Sequence, residues 1–325
     1  MLTDSFGRKH DYLRLSITDR CNLRCSYCMP EDQTFSPRSE LMSTEEIVQF
    51  AQLFQKLGVR KIRLTGGEPL MHPDFENIYR QLHELGIDLY ITSNGLLIDQ
   101  YLTLFQNYPI KGINISLDSL KPNQFKVITK RDFLAKTLVN IQKAADANLP
   151  VKINAVIAKN LNENEILDFV SLATKTNIEV RFIEFMPFNG NQWEKDLLVN
   201  KSTILKHIQT QYTLQQIPTE TNSTSAVYSI HGHIGKIGTI SSVTEPFCDG
   251  CNRLRLTADG QLKNCLFSNE EIDLLTPFRQ DQDIVPLVKK HLDAKHFSRG
   301  GKPDFSSAQA NEVYGDNRSM IKIGG

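Results

Sequence analysis

From Tyr12 to Met186, short β-branched runs alternate with longer segments whose apolar residues recur every three or four positions, the pattern of repeated strand–helix units around a parallel sheet. Six strands are predicted, at 13–18, 61–65, 88–92, 112–117, 151–157 and 178–185, each apolar enough to be covered on both faces. The clearest helix start is Ser43-Thr44-Glu45-Glu46, where a hydroxyl and a carboxylate three positions later satisfy free N–H groups, and Ile47, Phe50, Ala51 and Phe54 follow at helical spacing. Further helices are predicted near 73–85, closed by Gly86, and near 130–148 and 162–176. After Met186 the sequence turns polar and irregular, with a lone Trp193, one helix near 201–211 and strand-like pieces around Val227, Ile234 and Leu254. The expected organisation is an arm at 1–11, an α/β unit at 12–186 and a C-terminal unit at 187–325 whose last residues form a tail.

Hydrophobic residues make up 40% of the 325 positions and charged ones 23%, ordinary globular usage that excludes a disordered or low-complexity chain. Thirty-seven Lys plus Arg balance thirty-seven Asp plus Glu, which removes the footprint of a dedicated nucleic-acid or membrane-surface protein and makes any basic site local. The start Met1-Leu2-Thr3-Asp4-Ser5 has no basic-then-apolar leader and no apolar run reaches membrane length, so a cytoplasmic protein is expected.

All six cysteines fall into two triplets, Cys21, Cys25, Cys28 and Cys248, Cys251, Cys265. A chain of this length builds its own core, so such clustering favours metal or cluster ligation over a disulfide framework. The first triplet follows the first strand, at the carboxyl end of the sheet where α/β sites are built. Its spacing suits three irons of a four-iron four-sulfur cluster, with the fourth iron open to a small molecule. A zinc ion would need a fourth ligand, and His10 and His72 stand at no usual spacing. For the second triplet, a Cys3His zinc site completed by His231 or His233 competes with a cluster, while Arg253 and Arg255 suggest an anionic ligand beside it. A tight turn at Asp259-Gly260 is expected to return Cys265 towards Cys248 and Cys251. Arg14, Lys152 and Arg181 interrupt apolar strands, which makes them candidate anion ligands, since an unpaired buried cation is costly.

Cys21-x3-Cys25-x2-Cys28, with Tyr27 before the last cysteine, resembles the signature of radical S-adenosylmethionine (SAM) enzymes, and Thr65-Gly66-Gly67-Glu68-Pro69 resembles their motif beside the SAM amino group. Phe247 to Gly260, containing Cys248, Cys251, Arg253, Leu254 and Arg255, and the terminal Gly324-Gly325 resemble the GTP 3′,8-cyclase family (molybdenum cofactor biosynthesis protein A). The resemblance implies an α/β fold, a partial (β/α)6 TIM-like barrel closed by a C-terminal segment that carries a second 4Fe-4S cluster. It implies a lyase that cyclises GTP to 3′,8-cyclo-7,8-dihydro-GTP, the first step of molybdenum cofactor biosynthesis. By the same resemblance the six cysteines hold two clusters, and Tyr27, Gly67, Ser116 and Met186 contact SAM. GTP would meet Arg14, Arg63, Thr92, Lys152, Arg253, Leu254 and Arg255, with Arg14, Arg253, Arg255, Gly324 and Gly325 serving catalysis. Lys61 and Arg181 join the phosphate candidates from their strand positions. The implied partners are a low-potential one-electron reductant, the downstream cyclic pyranopterin monophosphate synthase and a second copy of the chain. Two rival readings are a peptide-modifying radical SAM maturase with an auxiliary cluster and a zinc-ribbon binding protein.

Overall fold

The computed structural model describes residues 1–29, 32–191, 193–305, 313–314 and 316–324. The six strands expected from the pattern are present as β1 (Tyr12–Ser16), β2 (Lys61–Thr65), β3 (Asp88–Ser93), β4 (Gly112–Ser116), β5 (Val151–Ile157) and β6 (Glu179–Glu184). Each pairs in parallel with the next. The later chain adds β7 (Leu214–Ile217), β8 (Ala226–Ile230), β9 (Lys236–Ile240), β10 (Arg253–Leu256), β11 (Gln261–Lys263) and β12 (Ile272–Asp273). Among the described residues these form one twelve-stranded sheet in the order β12-β11-β10-β1-β2-β3-β4-β5-β6-β9-β8-β7. β10 runs parallel to β1 and β9 parallel to β6, so the parallel row is longer than the six strands expected. These two strands arrive without a strand–helix unit of their own and are backed by antiparallel hairpins. β9 and β10 border β8 and β11 rather than each other, so the row does not close into a complete barrel.

The expectation that the strands are covered on both faces holds for β2 and β4, buried at all but one position each, and fails for β1, β3, β5 and β6, where buried and half-buried positions alternate. Leu13, Leu15, Ile62, Leu64, Leu89, Ile91, Ile113, Ile115, Ile153, Val180, Phe182, Leu254 and Leu256 pack into a core with Phe50, Phe54, Phe75, Ile78 and Phe169 of the surrounding helices. The alternate positions, among them Tyr12, Arg14, Lys61, Thr92, Lys152, Glu179, Arg181, Arg253 and Arg255, are half-buried and face away from that core. One face of β1–β6 and β10 therefore holds the helices, and the other lines a polar lumen.

The Ser43 cap forms as expected: its hydroxyl accepts from Glu46 N at 3.2 Å while Glu46 accepts from Ser43 N at 2.7 Å, starting the helix Thr44–Lys56. Helices at Phe75–Glu84, Ile166–Lys175 and Lys201–Gln209 match three further expectations. The fourth, expected near 130–148, forms as Leu134–Asp146, and a separate helix that the pattern did not announce, Pro122–Thr129, opens at Pro122 and ends at the left-handed Lys130 (φ 56°). Ile234 is 76% exposed and lies outside any strand, in the turn before β9. A second apolar cluster gathers Phe188, Trp193, Phe267, Phe305, Tyr314 and Ile323, with Trp193 Nε1 donating to Phe185 O at 2.8 Å. This cluster fastens the last residues of the chain against the sheet.

Candidate active site

β1 and β10 set the frame of the lumen. Their register places Arg14 opposite Arg255 and Tyr12 opposite Arg253, and β2 places Arg63 beside Arg14 and Lys61 beside Tyr12. On the far wall Asn114 faces Lys152, and Asn154 lies between Ser116 and Arg181. Arg63 donates from Nε to the Tyr12 hydroxyl at 2.7 Å and from Nη1 to Ile91 O at 2.8 Å and Thr92 Oγ1 at 3.5 Å. Lys61 sits over the rings of Tyr12 and Tyr90, 4.6 and 4.1 Å from their centroids. Glu179 neutralises Lys152, 2.7 Å away, and also binds Arg181, so these two cations are paired within the lumen.

Burial, followed by the charge of Arg14, holds Arg255 well below its usual value, and burial likewise lowers Arg14, with Arg63 and Arg253 adding to it. For Tyr12, burial acts to raise the phenol, but Arg63 and Arg14 outweigh it and bring it down to about 7. Each shift has the sign expected of a cation-rich site that favours an anion. Leu254 is 1% exposed with its side chain in the apolar core, so only its main chain can reach the lumen.

The first triplet sits in the loop after β1. Cys28 N and Met29 N both donate to Cys25 O at 3.0 Å, Arg24 clasps Cys21 O at 2.6 Å, and Asn94 Nδ2 lies 3.8 Å from Cys21 Sγ. Burial pushes Cys21 up to about 11 and raises Cys25 and Cys28 further, with Glu68, Asp118 and the neighbouring thiols adding to it. Three adjacent thiolates here call for a cationic centre. Among the described residues no three Cys, His, Asp or Glu side chains converge as they would around one ion. Three thiols spaced Cys-x3-Cys-x2-Cys suit three irons of a four-iron cluster, whereas a structural zinc takes a fourth protein ligand.

Gly67 explains how the loop is held. A Cβ there would come within 2.2 Å of Arg20 O, so only glycine lets the end of β2 lie flat against the chain entering the triplet, and Gly67 N donates to Thr18 O at 2.8 Å. The next residue, Glu68, is buried and accepts from Leu70 N, Ser93 Oγ and Asn94 N at 3.1, 2.9 and 2.7 Å. Tyr27 donates to Asp118 at 2.7 Å, and Asp118 also accepts from Val156 N at 2.8 Å. Burial raises Glu68 to about 7 and Asp118 to about 6. Ser116 ends β4 and Met186 follows β6, its carbonyl bound by Asn191 Nδ2 at 2.7 Å.

The second triplet brackets the hairpin of β10 and β11, whose register returns Cys265 towards Cys251. Because the first triplet follows β1 and Cys248 and Cys251 precede the parallel β10, the triplets lie at opposite ends of this strand pair, with Arg14 and Arg255 between. Arg8 Nη1 donates to Cys248 O at 2.8 Å, and the buried Lys295 places Nζ 3.7 Å from Cys251 Sγ. Burial raises Cys248; at Cys251 burial acts in the same sense, but Arg253 and Lys295 outweigh it and lower the thiol to about 7. Arg253 itself stacks over Phe247 at 4.8 Å. His231 and His233 are exposed in the turn between β8 and β9, His233 against Tyr212, and His10 is committed to Asp4 at 3.1 Å.

The tail enters the lumen. After the short helix Met320–Ile323, Gly324 is left-handed (φ 74°), and its carbonyl accepts from Arg255 Nη1 at 2.7 Å and Arg14 Nη2 at 3.4 Å. Gly325 lies outside the described residues. Sequence reading passed over Tyr12, Glu68, Asn94, Asp118 and Lys295. Glu68 was within a quoted motif, whereas Asp118 and Lys295 acquire their roles only through contacts distant in the chain.

Residues 15–173 match the family described as Radical SAM superfamily, and residues 178–299 match Molybdenum Cofactor Synthesis C. The GTP 3′,8-cyclase of Peptoclostridium acidaminophilum is 40% identical over 332 residues, covering 100% of this chain and 98% of that protein. Molybdenum cofactor biosynthesis protein 1 of Mus musculus is 43% identical over 331 residues, covering 99% of this chain and 51% of that protein, so the chain spans about half the length of this relative. Streptococcus suis SuiB bound to S-adenosylmethionine shares the fold, with a TM-score of 0.64 at 13% identity over 89% of this chain and 69% of that one. None of the described helices is long and apolar enough to cross a membrane.

Proposed function

Because the chain belongs to the GTP 3′,8-cyclase family of the radical SAM superfamily, we propose that it converts GTP to 3′,8-cyclo-7,8-dihydro-GTP, the opening step of molybdenum cofactor biosynthesis. The observation that carries this reading is the ladder of Arg14, Arg63 and Arg255, with Lys61, Lys152 and Arg181 nearby, set between two thiol triplets in a chain of zero net charge. Concentrating cations in one half-buried lumen is unfavourable unless an anion of several charges occupies it, and a nucleoside triphosphate is such an anion.

Cys21, Cys25 and Cys28 would hold a 4Fe-4S cluster that binds SAM, and Cys248, Cys251 and Cys265 a second that faces the substrate; reduced by a low-potential donor, the first supplies a 5′-deoxyadenosyl radical able to take hydrogen from C3′ of the ribose. The chain contributes position. Tyr27, fixed by Asp118, joins Gly67, Ser116 and Met186 around SAM. Arg63 and Lys152, with Thr92, Lys61 and Arg181, grip the phosphates, while Arg253 and the main chain at Leu254 orient the base. Arg14, Arg255 and the tail crowd the ribose, hold C3′ near C8 and keep water out while the new bond forms. The product would pass to cyclic pyranopterin monophosphate synthase in the cytoplasm, with neither nucleic acid nor membrane as a partner.

Anaerobic incubation of the iron-reconstituted protein with GTP, SAM and dithionite is expected to yield 5′-deoxyadenosine and the cyclised nucleotide together. 5′-Deoxyadenosine with GTP left intact would reject GTP as the substrate. Within the site, Arg63→Ala is expected to weaken GTP by about 1.5–3 kcal/mol, tenfold or more, while guanosine, which offers no phosphate, binds nearly as before. Equal weakening of both ligands in a binding titration would remove Arg63 from the phosphate set.

A further inference from the structure

The root of the tail is held by a chain of charges that the proposed chemistry does not use. Lys263 on β11 is fully buried, and its Nζ donates to Ser268 O at 2.7 Å, Glu271 Oε1 at 3.0 Å and Asn317 Oδ1 at 3.2 Å. Glu271 Oε2 accepts from Arg318 Nη1 at 2.7 Å, and Arg318 Nη2 donates to Asp259 Oδ2 at 2.8 Å. Asn317 Nδ2 donates to Leu266 O at 2.8 Å. Asp259 lies in the turn between β10 and β11, and Glu271 immediately precedes β12, so the side-chain anchors of Asn317 and Arg318 belong to one continuous antiparallel unit, while Asn189 N adds a main-chain bond to Asn317 O at 3.2 Å from outside it.

That unit also carries Arg255, the donor to Gly324 O. The hairpin therefore holds the tail twice, by its root at Asn317 and Arg318 and by its end at Gly324, with the one-turn helix Met320–Ile323 as the rigid spacer between. Ile321 N adds a bond to Cys28 O at 3.3 Å, which ties the same spacer to the loop of the first triplet. A spacer fixed at its root delivers its end at one register only. A guanidinium suits the root because its rigid fork can satisfy two carboxylates on different elements at once, whereas an ammonium on a flexible stem fixes no angle between them.

We infer that Arg318 is a positioning residue for the C-terminal glycines: by locking Asp259 and Glu271 to the root of the tail it sets where Gly324 O meets Arg255 and Arg14. Its effect on the tail stands on the geometry alone, and only its effect on product rests on the cyclase reading.

The test compares the full-length, iron-loaded protein with Arg318→Ala and Arg318→Lys. Hydrogen exchange of the amides from 320 to 324 reads the tail directly, and product per SAM cleaved reads the site. In Arg318→Ala the tail amides should exchange about tenfold faster or more, and cyclised product per SAM should fall by a similar factor while KM for GTP stays within about twofold. Arg318→Lys should recover part of both. Should Arg318→Ala lose iron or fold, Asp259→Asn, which weakens one arm of the fork, replaces it with the same expectations at smaller size. Unchanged exchange in the tail overturns the inference, and so does faster exchange with unchanged product. Wild-type protein that makes no cyclised nucleotide would reject the cyclase reading instead, leaving exchange to decide the clamp.

Discussion

Cys25→Ser protein is expected to cleave no SAM and to make no product, whereas Cys251→Ser protein should still release 5′-deoxyadenosine yet make little cyclised nucleotide. The division follows from topology. The loop after β1 that carries Cys25 is built on Gly67, Glu68 and Asn94 and shares none of these with the second triplet, which depends on the β10–β11 hairpin, Arg8 and Lys295. A serine hydroxyl is a poor substitute for a thiolate on iron, so each substitution should disable one triplet and leave the other's surroundings in place. Chromatography of both nucleosides, with iron content measured on each variant, checks the outcome. Equal loss of both activities in the two variants, with the first cluster intact in Cys251→Ser, would contradict separate roles.

Removing Gly324 and Gly325 should leave fold, iron and GTP binding largely unchanged and lower product formation by about ten- to a hundredfold, the scale of one or two charge-assisted hydrogen bonds. Arg255 and Arg14 converge on Gly324 O, and without that acceptor two mutually repelling guanidiniums lose a common partner that fixes their positions. The residue must be small: a Cβ on Gly324 would lie 2.6 Å from Thr65 Oγ1 and 3.2 Å from Ser16 Cβ, and its φ of 74° is left-handed. Gly324→Ala should therefore resemble the deletion, and a synthetic peptide of the last residues should restore part of the lost turnover. A truncated protein that turns over at the parent rate under saturating GTP and SAM would remove the tail from the site.

The parts of this architecture that could be read from sequence are those written locally. Strand–helix alternation, the Ser43–Glu46 cap and the clustering of the cysteines each need only a few neighbouring residues. The strands at β9 and β10 escaped recognition as members of the parallel row because neither belongs to a strand–helix unit: β9 is reached through the β8–β9 hairpin, and β10 leads into the β10–β11 hairpin. The lumen was legible only as an anomaly: Arg14, Lys152 and Arg181 stood out as cations in apolar strands, yet their phase with Tyr12, Thr92 and Asn154 shows one whole face to be polar. His231 and His233, the histidines of the zinc alternative, lie exposed in the turn between β8 and β9, a placement that sequence spacing from Cys248 does not convey. Asp118 and Lys295 carry no local signature, and their roles come from contacts to Tyr27 and Cys251.

The central claim is that GTP lies across the lumen with C3′ presented to the radical and C8 to the new bond. It is tested most directly with GTP carrying deuterium at C3′, incubated anaerobically with SAM and dithionite and followed by mass analysis of both products. The account predicts deuterium in 5′-deoxyadenosine and a cyclised nucleotide that has lost it. Unlabelled 5′-deoxyadenosine beside a nucleotide that retains its deuterium would contradict it.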